Sequence, residues 1–157
     1  MNSAIITIGD ELIQGFTLDT NASWISKYLN SYNITVKKVI TIGDDEEDIV
    51  SSLEYLKKDK TIKYIFITGG LGPTHDDITK NILSKYFKSD LVLNQNHLAL
   101  LVDRFKSKNM VVPENLNSQA MTLKRSKPIP NKAGTALGMV VEDKLKTYFV
   151  IPGVPLE

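Results

Sequence analysis

Three short, apolar, β-branched runs, each cut off at a glycine, constrain this chain more than any other feature. They are Ala4–Ile8 before Gly9, Ile34–Ile42 before Gly43, and Tyr64–Ile67 before Thr68-Gly69-Gly70. The first and third lack polar alternation, as expected of strands buried on both faces; the second alternates and is rich in Val, Ile and Thr. Helical stripes separate and follow them. Trp24, Ile25, Tyr28, Leu29 and Tyr32 form one stripe behind a cap at Asp19 or Thr20, and Ile49, Leu53 and Leu56 form a second. Ile78, Ile82, Leu83, Tyr86 and Phe87 form a third. Strand and helix in alternation predict parallel β-α-β units with right-handed crossovers.

The later chain breaks that rhythm. A helix is predicted over Asn96–Lys108, with Leu98, Leu101, Val102 and Phe105 inward, and a shorter one over Asn115–Leu123. An extended segment over Lys127–Asn131 precedes a hairpin of Gly138–Glu142 and Thr147–Ile151, so the sheet should be mixed.

Ligands of such sheets sit beyond the carboxyl ends of the strands. Those ends carry Gly9-Asp10-Glu11, Gly43-Asp44-Asp45 and the segment Thr68–Asp77, which reads TGGLGPTHDD. Glycines there let backbone N–H groups of Gly69, Gly70 and Gly72 turn around an anion, because no Cβ obstructs it. Acids beside an anion site suggest a divalent metal carrying a phosphate. Two commoner phosphate motifs do not fit. A dinucleotide fingerprint starting at Gly70 would need glycine where His75 stands, and a Walker A loop needs a lysine that the segment lacks.

Each piece also has a plainer reading. Gly69-Gly70 makes a tight turn, with Asp76 or Asp77 as a helix cap. Asp44-Asp45-Glu46-Glu47-Asp48 complements a helix dipole, at about 0.3–1 kcal/mol per acid, with Asp44 as the cap. His75 is expected to face solvent and His97 to lie on an exposed helix face. Asn131–Ala136 alone is a turn, and Pro152-Gly153-Val154-Pro155 is a rigid turn after a strand.

Composition narrows the function. The 157 residues suit one domain, and the net charge of +1, with both signs interleaved, gives no footprint for nucleic acid or membrane. Without cysteine there are no disulfides, thiolate zinc sites or cysteine nucleophiles. No signal peptide and no apolar stretch near the roughly 18 residues of a membrane span are visible, so a cytoplasmic location is expected.

In order along the chain, these segments resemble the MoaB/Mog-type molybdopterin-binding domain family, and most closely the N-terminal domain of CinA proteins. The resemblance rests on Gly9-Asp10-Glu11-Leu12 with Gly15, Asp19-Thr20-Asn21, Gly43-Asp44, and Thr68–Thr74 with Asp76, Asp77 and Thr79. It continues through Asn131, Gly134-Thr135-Ala136-Leu137-Gly138 and Pro152-Gly153-Val154-Pro155. It implies a three-layer α/β/α sandwich around a mostly parallel, mixed sheet, assembled as a homodimer or homotrimer. The chain stops at Glu157, where a further helix would normally cover the sheet, which implies a missing C-terminal portion.

The resemblance also assigns roles. Asp44 and Asp77 match the catalytic aspartates of molybdopterin adenylyltransferases and are the expected catalytic and metal-binding residues. Gly9, Asp10, Glu11, Thr68, Gly69, Gly70, Gly72, Pro73, Thr74, Asn131, Gly134, Thr135, Pro152 and Gly153 are the expected ligand contacts. CinA-like proteins are associated with metal-dependent hydrolysis of ADP-ribose, which implies Mg²⁺, Mn²⁺ or Co²⁺ as cofactor and a small nucleotide as ligand. Leu71, where the molybdopterin enzymes typically carry threonine, favours that side of the family. The alternatives are adenylyl transfer to a pterin phosphate, with molybdopterin as ligand, and a non-catalytic pterin- or nucleotide-binding module.

Overall fold

The computed structural model describes residues 1–72 and 78–153. Its first half alternates as the glycine-ended runs predict: β1 (Asn2–Ile8), a one-turn helix α1 (Asp10–Ile13), α2 (Thr20–Ser31), β2 (Thr35–Ile42), α3 (Glu46–Lys58) and β3 (Ile62–Thr68). Next come α4 (Thr79–Phe87), β4 (Leu91–Leu93), α5 (Gln95–Ser107), α6 (Leu116–Gln119) and β5 (Met121–Leu123). The chain continues through β6 (Lys127–Ile129), β7 (Gly138–Asp143) and β8 (Lys146–Ile151).

Six strands form one sheet in the order β2-β1-β3-β8-β7-β6. β2, β1, β3 and β8 run parallel; β7 is antiparallel to β8 and to β6. The sheet is therefore mixed, as the late hairpin predicts. β4 and β5 pair separately as a small antiparallel ribbon that packs beside α4 and encloses α5 and α6 in sequence. A strand at 91–93 and the short α1 are additions to the predicted pattern. Three residues of β4 and four of α1 are too few to produce a readable period.

Alternation along β1 divides the core. Ala4, Ile6 and Ile8 face a cluster with Ile49, Leu53 and Leu56 of α3 and Ile82, Leu83 and Phe87 of α4. Ile5 faces the other way, onto Ala22, Ile25 and Leu29 of α2. Helices thus lie on both faces of the sheet, giving three layers.

The predicted stripe on α2 divides in the same manner. Ile25 and Leu29 are buried, but Trp24, Tyr28 and Tyr32 are 64%, 50% and 63% exposed and stack along the outside, with Trp24 and Tyr28 rings 5.1 Å apart. Grouping the aromatic and aliphatic residues into one stripe is the misreading; the two sets lie on adjacent faces. Among the described residues, no helix is long and apolar enough to cross a membrane.

Leu53, fully buried between β1 and α4, is a direct probe of this packing. Leu53→Ala should destabilise the chain by about 2–5 kcal/mol in denaturant unfolding; a loss under about 1 kcal/mol would show that α3 does not pack as described.

Candidate functional site

In-register pairing brings the glycine-ended strands to one rim. Ile8 lies opposite Ile42, Thr7 opposite Thr68, and Thr68 opposite Ile151, so β1, β2, β3 and β8 end together. Beyond those ends lies a cavity of about 590 Å³.

The acidic side is built by reciprocal contacts. The backbone N–H of Asp10 donates to Asp44 Oδ2 at 3.1 Å, and that of Asp44 donates to Asp10 Oδ1 at 3.0 Å. This exchange locks the turn after β1 to the turn after β2 and leaves both carboxylates on the cavity wall. Asp45, not Asp44, caps α3, accepting from the N–H groups of Glu47 and Asp48 at 2.8 and 3.0 Å. Asp44 therefore does not cap α3.

Asp19 caps α2 by accepting from Ala22 N–H at 2.9 Å, while its second oxygen accepts from the Thr7 hydroxyl at 2.7 Å. Asp10, Glu11, Asp19 and Asp44 all line the cavity, and no lysine, arginine or histidine does so among the described residues.

The glycine side is sterically obligatory. A Cβ on Gly69, at φ +111°, would sit 2.0 Å from the Ile8 carbonyl oxygen. One on Gly70, at φ +63°, would sit 2.1 Å from Thr79 Oγ1 and 3.6 Å from Asp44 Oδ1. Gly69 does not present its N–H to a ligand, as the sequence suggested: that group donates to Ile151 O at 3.4 Å, tying β3 to β8. Gly70 and Gly72 remain the loop's described candidates for anion contact. Thr68 is likewise turned into the frame, its hydroxyl donating to Pro152 O at 2.8 Å. Asn21 Nδ2 donates to Gly153 O at 2.7 Å and to Thr68 Oγ1 at 3.3 Å. These bonds form a wall between the cavity and a second hollow of about 550 Å³ lined by Trp24, Ile129 and Gly138.

The third wall comes from the loop before β7. Asn131 Oδ1 accepts from the N–H groups of Ala133 and Gly134 at 3.1 and 2.8 Å, and Asn131 Nδ2 donates to Ala136 O at 3.0 Å. Asn131 and Gly134 thus shape the loop without lining the cavity, whereas Thr135 and Ala136 line it. Two residues of α5 hold the same loop. Arg104 donates to Gly134 O at 2.6 Å and Lys132 O at 3.3 Å. His97 Nε2 lies 2.9 Å from Thr135 O; a carbonyl can only accept, so this nitrogen carries the proton. His97 is 7% exposed, correcting the expectation of a surface histidine. Its partner stands 38 residues away, beyond any local pattern.

Of the expected contacts, Gly9, Asp10, Glu11, Asp44, Thr68, Gly69, Gly70, Gly72, Thr135, Pro152 and Gly153 converge on the cavity. Pro73, Thr74, Asp77 and the neighbouring His75 and Asp76 lie outside the described residues. Thr7, Leu12, Leu71 and Gln119 also line the cavity, although no sequence motif singles them out as contacts. A threonine one residue before a strand end was the available signal for Thr7.

Divalent metal would find oxygen donors here in Asp10 and Asp44. No group of three or more His, Asp or Glu side chains forms a metal cage among the described residues. That donor set fits a Mg²⁺-like ion, which commonly uses one or two carboxylates together with water and ligand phosphate oxygens. It does not fit a closed zinc site.

The chain's relatives agree with this architecture. Residues 4–157 match a family model described as "Probable molybdopterin binding domain". A CinA-like protein of Geotalea uraniireducens is 42% identical over 159 residues, covering all of this chain and 37% of that protein. One from Flavobacterium psychrophilum is 37% identical over 161 residues, again covering all of this chain and 37% of its own length. The chain thus spans well under half the length of these relatives. In structure, it is similar to the protein CinA from Thermoplasma acidophilum, with TM-score 0.83 and 28% identity over 98% of this chain and 89% of that one. MoaB from Thermus thermophilus, described as a molybdopterin biosynthesis enzyme, shares the fold at TM-score 0.64 and 16% identity, over 98% and 82% of the two chains.

The close approach of Gly69 to β1 is testable. Gly69→Ala should cost about 1–3 kcal/mol from its left-handed backbone alone, plus the clash with Ile8 O. Thermal unfolding unchanged within a degree would contradict that contact.

Proposed function

The chain belongs to the MoaB/Mog-type molybdopterin-binding-domain family, close to CinA, and from that premise we propose that it hydrolyses a phosphoanhydride of the ADP-ribose class with a divalent metal. The observation that carries this reading is the charge of the cavity. Four carboxylates and no basic side chain line it among the described residues, opposite a glycine turn. A phosphoanhydride could not enter against those charges without a cation to offset them. Asp44, with Asp10 beside it, would hold the metal, which would supply that compensation and polarise the phosphoryl oxygens. Asp77 is the second carboxylate that the family motif assigns to this task.

The protein's own groups do the rest. N–H groups of Gly70 and Gly72 hold a phosphate oxygen without side-chain obstruction. The fixed Asp10–Asp44 exchange orients Asp44 before ligand arrives, so little reorganisation accompanies binding. Leu12, Leu71 and Ala136 give the cavity an apolar portion suited to a base or ring. In the reaction, water adds to one phosphorus as the bridging P–O bond breaks, and ADP-ribose yields AMP and ribose 5-phosphate.

Adenylyl transfer uses the same anhydride chemistry with a pterin phosphate in place of water, and is the competing outcome of the test. Incubation with ADP-ribose and Mn²⁺ or Mg²⁺ should release AMP, and EDTA should abolish release. Asp44→Asn should lower kcat by at least about a hundredfold while shifting the melting temperature by no more than a few degrees. Undiminished turnover in EDTA or in Asp44→Asn would overturn the reading. Release of pyrophosphate from ATP, with the adenylyl group carried onto the pterin phosphate and only when that acceptor is supplied, would replace it with adenylyl transfer.

A further inference from the structure

Gln119 is a buried polar residue that the proposed chemistry leaves without a role. It ends α6, is 2% exposed, and still lines the cavity. Its amide oxygen accepts from the Thr135 hydroxyl at 3.1 Å. Its amide nitrogen faces the Leu71 carbonyl at 3.5 Å and the Ser118 hydroxyl at 3.2 Å. Leu71 O can only accept, so the orientation of the amide is fixed chemically. Its backbone carbonyl also accepts from Leu137 N–H at 2.9 Å. One side chain thus spans the glycine loop at Leu71 and the loop at Thr135, two walls separated by 64 residues in sequence that no strand pairing joins.

The surrounding contacts extend this link. Lys80 of α4, itself buried, donates to Ser118 O at 2.7 Å, next to Gln119. Arg104 and His97 hold the other carbonyls of the Thr135 loop. The α5–α6 excursion therefore fixes the far side of the cavity, and Gln119 is where it meets both loops.

We propose that Gln119 is a positioning residue: it holds Leu71 and Thr135 at the spacing a nucleotide-like ligand requires, without touching the reacting phosphorus. This rests on the reading of the cavity as a phosphoanhydride site, but its structural half stands alone. The bridge acts on ligand capture rather than on the chemical step, so its loss should weaken binding and leave turnover at saturation nearly intact.

Hydrogen exchange on the unliganded full chain tests the bridge first. Gln119→Met should speed exchange about tenfold or more in residues 69–72 and 131–136 while leaving β1 and β3 unchanged. Thr135→Val should loosen residues 131–136 more than 69–72, and the double variant should not exceed Gln119→Met, which already breaks the Thr135 link. With ADP-ribose, Gln119→Met should raise KM about tenfold with kcat within about threefold, and Gln119→Glu, which keeps the acceptor for Thr135, should recover part of that KM. Should Gln119→Met unfold the chain, the exchange comparison passes to Gln119→Glu, which should loosen residues 69–72 more than 131–136. Unchanged exchange in both segments, or additive effects of the two singles, overturns the proposal. So does a fall in kcat with KM unchanged. Absence of hydrolysis in the wild type overturns the phosphoanhydride reading, while the exchange result still decides the bridge.

Discussion

The parallel pairing of β1 with β2 on one side and β3 on the other is the interaction on which everything else depends. Because the pairing is in register up to Ile8, Ile42 and Thr68, three chain reversals occur side by side. The reversals are narrow: Gly69 approaches the Ile8 carbonyl more closely than any Cβ allows, and Asp10 and Asp44 exchange backbone hydrogen bonds across the gap. A slip of one residue in β1 would turn Ile5 to the α3–α4 core and Ile6 to α2, and would separate Asp10 from Asp44. The fold and the site are thus specified by the same register.

Electrostatics gives the site its character. Acids gathered at a rim repel each other and would cost stability if left without compensation. Part of that cost is met by hydrogen bonds: Asp19 is occupied by Thr7 and Ala22, and Asp44 and Asp10 by each other's N–H groups. These contacts fix the carboxylates at the rim before any ligand arrives.

Much of this was legible in the sequence, because glycine and acid at a strand end have local causes. Gly9, Gly43 and Gly69 mark the three strand ends at the rim, and the late hairpin marks the mixed sheet. Other features had no local cause. Asp45 caps α3 in place of Asp44 because capping depends on the backbone turn, which composition does not encode. The Gly69 N–H is consumed by Ile151, a residue 82 positions away. His97 and Gln119 take partners from loops distant in sequence, so neither carries a periodic signal. Trp24, Tyr28 and Tyr32 misled for a different reason: hydropathy counts an aromatic ring as core, whereas these rings satisfy each other along the outside of α2.

On the proposed reading, the acidic rim and the glycine turn together receive a metal–phosphate pair. A crystal structure with AMP and Mn²⁺, read by the manganese anomalous signal, tests it most directly. An anomalous peak within coordination distance of the Asp44 carboxylate, with a phosphate against the N–H groups of Gly70 and Gly72, is the expected result. Manganese absent from Asp44, or AMP seated in the hollow beside Trp24 instead, would contradict it.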